Sequence, residues 1–157
     1  MTLIVTVVDA AAMPPRARLI RSGILLFWAA WFTVVASTNL LDALKALGVL
    51  PAGWTLASGN WALMLKVTAI HGTPTALVAL LFLGVILWEM LAATLFWRAW
   101  AARGDTIATA FIVGLALWAA FTLADEAFIA YPLEAVHVRL FAVQLLSLLA
   151  IRLLPDD

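Results

Sequence analysis

Four predominantly apolar stretches, each about 20 residues or longer, dominate this chain, and each is long enough to cross a hydrocarbon core of about 30 Å as a helix. Breaks rich in Pro, Gly or polar residues separate them. Of the 157 residues 66% are hydrophobic and only 11% are charged, which is far from the make-up of an average soluble domain. The expected fold is all-α: a single transmembrane domain over residues 1–157, built as an up-down four-helix bundle in a membrane.

The first span is predicted from about Ser22 to Leu44, after Pro14, Pro15 and the basic residues Arg16, Arg18 and Arg21, which suit the headgroup layer. The second runs from about Thr75 to Trp100, the third from Ile107 to Ala130 and the fourth from Ala135 to Leu154. Between the first two, residues 46–74 are broken by Gly48, Pro51, Gly53, Gly59, Gly72 and Pro74 and read as an outer interfacial segment. Within it Trp61 to Ile70 is predicted as a short interfacial helix with Asn60 as its N-cap. Gly104 and Asp105 are expected to form a tight turn, and Tyr131-Pro132 to separate the last two spans. Met1 to Asp9 lacks the basic start of a signal peptide and reads as an irregular or interfacial arm.

Zero net charge and scattered basic residues leave no electrostatic footprint for nucleic acid. The absence of Cys excludes thiolate metal sites, disulfides and thiol redox chemistry.

Depth along each helix, counted at 1.5 Å per residue from the span middles, sorts the polar residues into two layers. Glu89 lies about 3 Å from the midplane, with Thr33, Trp118, Gln144 and Ser147 at similar depth on the other spans. A carboxylate there cannot face lipid, so Glu89 is expected inside the bundle, hydrogen-bonded or protonated, with Gln144 as its partner. Two roles fit: a neutral side chain fixing helix register, or a proton-carrying or ligand-binding carboxyl.

About 9 Å toward the outer side come Asn39, Asp125, Glu126 and Arg139, with Asp42, Glu134, His137 and His71 just above. Arg139 is expected to pair with Asp125 or Glu126 as a lock between spans three and four, because an unpaired Arg in low dielectric is costly. His71 and His137 could instead ligate a haem, although His71 precedes Gly72 and Pro74 and so has no regular helix to orient it. No HExxH motif occurs, and the single Glu-x-x-His, Glu134 to His137, has no second such pair to complete a carboxylate-bridged site, so no metal is expected. Eight Trp residues, several near span ends, form aromatic belts, while Trp28, Trp31, Trp88 and Trp118 lie deeper. Small residues at helical spacing, Thr75 with Ala79 and Ala116 with Ala120, mark faces where backbones can approach.

Several short motifs recur in order: Asn39-Leu40-Leu41-Asp42, Asn60 to Ile70, Trp88-Glu89 ahead of a small-residue run and Arg98, Leu117-Trp118 ahead of Asp125-Glu126-Ala127-Phe128, and Arg139-Leu140-Phe141. With these the chain resembles, over residues 20–157, an uncharacterised bacterial family of small predicted integral membrane proteins, a domain of unknown function with four transmembrane helices. The resemblance implies the four-span topology and singles out Asn39, Asp42, Glu89, Glu126 and Arg139; it implies no reaction.

No nucleophile and base pair is recognisable and almost no soluble mass exists to house chemistry, so an enzyme is not expected. The leading expectation is a non-catalytic accessory or stabilising subunit of a larger respiratory or photosynthetic membrane complex, needing no cofactor. Its partners would be lipid and other membrane subunits or a second copy. The alternative is a proton-coupled transport or channel module using Glu89, and a second is a haem- or quinone-binding redox anchor. Richness in Ala and Leu, with Arg favoured over Lys, suits a bacterial inner membrane.

Basic residues near span ends are retained in the cytoplasm. One side holds Arg16, Arg18, Arg21, Arg98, Arg103 and Arg152 and the other only Lys45, Lys66 and Arg139, so both termini are expected to be cytoplasmic. A reporter active only outside the cytoplasm should therefore stay silent at the C-terminus, and strong activity there overturns the orientation.

Overall fold

A computed structural model of the chain describes residues 14–102 and 106–155. The arm expected over Met1 to Asp9, the turn at Gly104 and Asp105 with Arg103 beside it, and Asp156 and Asp157 lie outside these residues. Among the described residues all regular structure is helical: α1 (Pro15–Ala46), α2 (Asn60–Thr68), a 3-10 turn (Ala69–His71), α3 (Thr75–Ala102), α4 (Thr106–Ala127) and α5 (Tyr131–Arg152). Helices α1, α3, α4 and α5 are each long and apolar enough to cross a membrane.

Helix α1 begins seven residues before the apolar stretch does. Pro14 stays extended, with ψ 143°, because a residue preceding proline avoids the helical region. Pro15 then opens the helix, where its missing N–H costs nothing. Thirty-two residues give a rod of about 48 Å, longer than the hydrocarbon core, so the turns carrying Arg16, Arg18 and Arg21 extend beyond it. Hydropathy marks where lipid ends, not where a helix ends. At the other boundary, Tyr131 and Pro132 form the first turn of α5 rather than the turn before it, again with proline at a helix start.

The four long helices form an incomplete ring. α1 packs on α3, α3 on α4 and α4 on α5, whereas α5 meets α1 along only a short seam. Contacts between α1 and α3 descend along one helix as they rise along the other. Trp100 Nε1 donates to Ser22 Oγ at 2.9 Å, Trp97 Nε1 to Thr33 Oγ1 at 3.0 Å, and Asn39 meets Glu89. Trp88 Nε1 donates across to the Val113 carbonyl of α4 at 3.1 Å.

At the end holding these Trp97 and Trp100 contacts the interior is tightly filled. Ala29, Ala92, Ala99 and Ala110 have no exposed surface, and their small side chains let the backbones approach. Between them Phe32 stacks on Phe96 at 5.7 Å and on Trp118 at 5.6 Å, joining α1 to α4 across the bundle. Packing inside the chain does not use the small pairs expected from spacing, since Thr75, Ala79 and Ala116 are all exposed. Gly114 does serve such a contact: a Cβ there would lie 2.5 Å from the Gln144 amide of α5.

Helix α4 ends at Ala127, three residues earlier than its hydropathy, in a Schellman closure. The Ala130 N–H donates to the Asp125 carbonyl at 2.7 Å and the Ile129 N–H to that of Glu126 at 3.2 Å. Such a closure needs a left-handed residue, normally Gly, and here it is Ile129 at φ 55°. The Ile129 side chain is exposed, so its packing does not offset that strain. Replacing Ile129 by Gly should raise stability by about 1 kcal/mol, seen as a later midpoint in SDS-induced unfolding, and a lower midpoint would contradict this account.

Candidate functional site

Glu89 sits in the middle of α3 with only 2% of its surface exposed. Its partner is Asn39 of α1, whose Nδ2 donates to Oε1 at 2.9 Å and to Oε2 at 2.8 Å. The Asn39 Oδ1 in turn accepts from Asn60 Nδ2 at 2.8 Å. A relay of two amides thus runs from α2 through α1 to the carboxyl. Gln144, the expected partner, belongs to α5, which has no packing contact with α3.

Asn60 therefore does not cap its own helix. The N-cap is Gly59 in the left-handed region at φ 77°, with no side-chain capping bond. Asp42 of α1 supplies the acceptor instead: its Oδ2 receives the Trp61 N–H at 2.8 Å and the Ser58 hydroxyl at 3.2 Å. A carboxylate placed at a helix start satisfies an orphan N–H and opposes the positive end of the dipole. The loop before α2 is tied to α1 as well, through Ser58 N–H to the Thr38 carbonyl at 3.2 Å and Lys45 Nζ to the Trp54 carbonyl at 3.0 Å. Past its far end, His71 Nε2 donates to the Ala127 carbonyl of α4 at 2.8 Å, and its ring lies 5.4 Å from that of Phe128. This short helix is pinned at both ends.

Asp125 of α4 is buried and pairs with His137 Nδ1 of α5. The imidazole lies against aromatic rings of α4, stacked on Phe121 at 4.6 Å and nearly parallel to Trp118 at 6.3 Å. Glu126 and Arg139 are exposed, and the lock expected between Arg139 and Asp125 or Glu126 does not form. The reason is angular: Arg139 follows His137 by two positions, about 200° around the helix, so only one of them can face α4. His137, Leu140, Phe141 and Gln144 share the inner stripe, and Arg139 does not.

The remaining residues expected near the midplane disperse. Thr33 is exposed, binds the Ala29 carbonyl of its own helix and accepts from Trp97. Ser147 bonds only within α5, to the Val143 carbonyl. Gln144 is fully buried against Gly114, and neither of its amide atoms has a partner among the described residues. Trp118 is buried with its indole N–H likewise unpartnered.

Glu89, Asn39 and Asn60 on one side and Asp125 and His137 on the other line a single cavity of about 520 Å³. Depth along the sequence places Asn39, Asp125 and His137 in the outer layer and Glu89 apart from them at the midplane. The walls are otherwise apolar and largely aromatic, with Trp31, Trp88, Trp118, Phe82, Phe121 and Phe128 among them, and Leu63, Met64 and Val67 of α2 form one side. A concave apolar space with a few convergent polar groups is the usual form of a small-molecule site, and its volume lies within the customary range of about 300–1,000 Å³. Spacing gave no signal for Asn60, Phe121 or Trp88 as neighbours of the two carboxylates. Among the described residues no three His, Cys, Asp or Glu side chains gather as a metal site.

Comparison with protein-family models, curated proteins and solved structures finds no match to this chain.

Removing Asn39 strands a buried carboxyl, so Asn39→Ala should lower stability by about 1–3 kcal/mol. Glu89→Gln keeps an acceptor for Asn39 and should change it by less than about 1 kcal/mol. The apolar pair Asn39→Leu with Glu89→Met should cost less than Asn39→Ala alone. Equal losses for all three in thermal unfolding would show that the pair is not coupled.

Proposed function

We propose that this protein is a non-catalytic binding module of the bacterial inner membrane, which takes a small amphiphilic molecule into the cavity beside α2 and acts as an accessory subunit of a larger membrane assembly. In this reading α1, α3, α4 and α5 cross the bilayer up and down with both termini cytoplasmic, and α2 lies at the outer interface. Arg139, exposed on α5, then extends its guanidinium toward the outer headgroups.

One observation carries the reading: side chains from all five helices converge on one cavity, with hydrogen-bonding groups at two stations and aromatic walls between. A helix serving only as a lipid-facing spacer has no need of such a space, and buried polar groups in hydrocarbon are kept where they serve a function. The accessory role is supported by α5, of whose apolar window only 11% is buried, against 33% for α3 and α4. Its surface is available to helices of another subunit as well as to lipid.

A proton-coupled transport role for Glu89 is the second reading. It is favoured by a specific feature, a carboxyl that faces the cavity and receives hydrogen bonds only from a neutral amide.

Native mass spectrometry of the protein taken from its own membrane in mild detergent should find a small molecule bound at about one per chain. Ala120→Phe, which fills the cavity wall, should remove it. A bare chain in both proteins, under conditions that preserve annular lipid, would end the binding reading.

A further inference from the structure

We infer that the ligand of this cavity is a lipophilic organic cation, an ammonium or phosphonium carrying apolar substituents, with the Glu89 carboxylate as its counter-charge; this rests on the reading of the cavity as a ligand site. The charge pattern points there first. The ionisable residues lining the space are Glu89, Asp125 and His137, and neither Lys nor Arg is among them. Asp125 already holds His137. Glu89 receives hydrogen bonds only from the neutral Asn39 amide, which satisfies its oxygens but does not balance its charge. In a low-dielectric site an ionised carboxylate needs a cation within a few ångströms, or it takes up a proton.

The walls supply the second half of the recognition. Trp88 adjoins Glu89 on α3, Trp118 and Phe121 face inward from α4, and Phe82 lies two turns from Glu89 on α3. Aromatic faces attract a cation through their quadrupole, most strongly when water is excluded, and accept apolar substituents equally well. A hydrated inorganic cation would lose its shell to rings that cannot replace it. An anion would meet two carboxylates and no positive partner other than a protonated His137.

The third element is the route of entry. α5 and α1 barely touch, and both helices line the cavity, through Trp31 and Val35 of α1 and Val136 and Leu140 of α5. An amphiphile dissolved in the bilayer can therefore reach the space sideways between two spans. Once inside, cation and proton compete for Glu89. The other polar groups around them are Asn39 of α1, Asn60 of α2, Asp125 of α4 and His137 of α5. Protonation of either carboxyl or of His137 disfavours a cation, so acid should weaken binding.

Tetraphenylphosphonium and tetraphenylborate, which share shape and differ in the sign of the charge, provide the test. Titrated into the full chain in nanodiscs of zwitterionic lipid, the phosphonium should bind saturably, and more weakly as pH falls. The borate should not bind. Glu89→Gln should weaken phosphonium binding by about tenfold or more while unfolding at an unchanged temperature, and Glu89→Asp, which keeps the charge, should retain most of it. Equal affinity in wild type and Glu89→Gln, or equal binding of the two ions, overturns the cation assignment. Saturable binding of a neutral decyl-benzoquinone without the phosphonium overturns it too, yet leaves the cavity a ligand site. If none of the three probes binds, the ligand-site reading falls with it.

Discussion

The hydrogen bonds between Asn39 and Glu89 tie α1 to α3 inside the bundle and, through Asn60, tie α2 to both. Hydrocarbon offers a buried carboxyl no water, so its oxygens must find donors inside the bundle, and the position of those donors sets how α1 lies along α3. With Asn39 held opposite Glu89, Phe32 falls against Phe96 and Thr33 against Trp97. The same Asn39 presents its carbonyl oxygen to Asn60, so the donor that settles two spans also anchors the start of α2. Register and cavity roof share one side chain.

That register divides the bundle into two unlike halves. Toward the α3 C-terminus the inward stripe is alternately Ala and aromatic, and small residues on one helix admit large rings from the next. Toward the other end the inward stripe of α3 becomes Glu89, Val85 and Phe82, and α2 rather than a fifth span covers it. A nine-residue helix reaches only about 14 Å, too short to fill the space between longer rods, and a hollow results. Interiors ordinarily pack to the density of organic crystals, and an empty volume of this size forfeits dispersion contacts on every wall. The helices tolerate the hollow because α2 is tied from outside it, by Asp42 at one end and His71 at the other.

The spans were legible in the sequence because their signal is additive over twenty residues, and no local exception erases it. The site was legible only in its members. Asn39, Asp42, Glu89, Asp125 and His137 all stood out as polar groups in apolar surroundings, and all are buried or partly buried toward the interior. Their pairing was not. Depth counting aligns the middles of the apolar stretches and so set Thr33 level with Glu89, whereas packing sets it against Trp97, about 12 Å further along α3. Hydropathy cannot see such a slide, since lipid tolerates an apolar residue at any depth. Angular position was legible in principle: two residues of separation already put His137 and Arg139 on opposite faces, and the seven-residue interval from His137 to Gln144 tells which face α4 meets. The capping of α2 by Asp42, eighteen residues before Asn60, leaves no sequence signature at all, for local spacing describes only caps that a helix provides for itself.

One amide joins the carboxyl to the roof, so a change at Glu89 reaches α2 through Asn39. A turn of the Asn39 side chain away from Glu89 also moves the oxygen it presents to Asn60. The second anchor of α2, Asp42 on the Trp61 N–H, lies one helical turn further along α1 and has no part in the cavity wall. The roof is therefore secured by one contact that faces the interior and by others, at Asp42 and His71, that do not. In the proposed ligand-binding reading, a molecule entering at Glu89 would disturb the first and leave Asp42 and His71 holding α2. That arrangement would give an event at Glu89 a direct path, through Asn39, to α2.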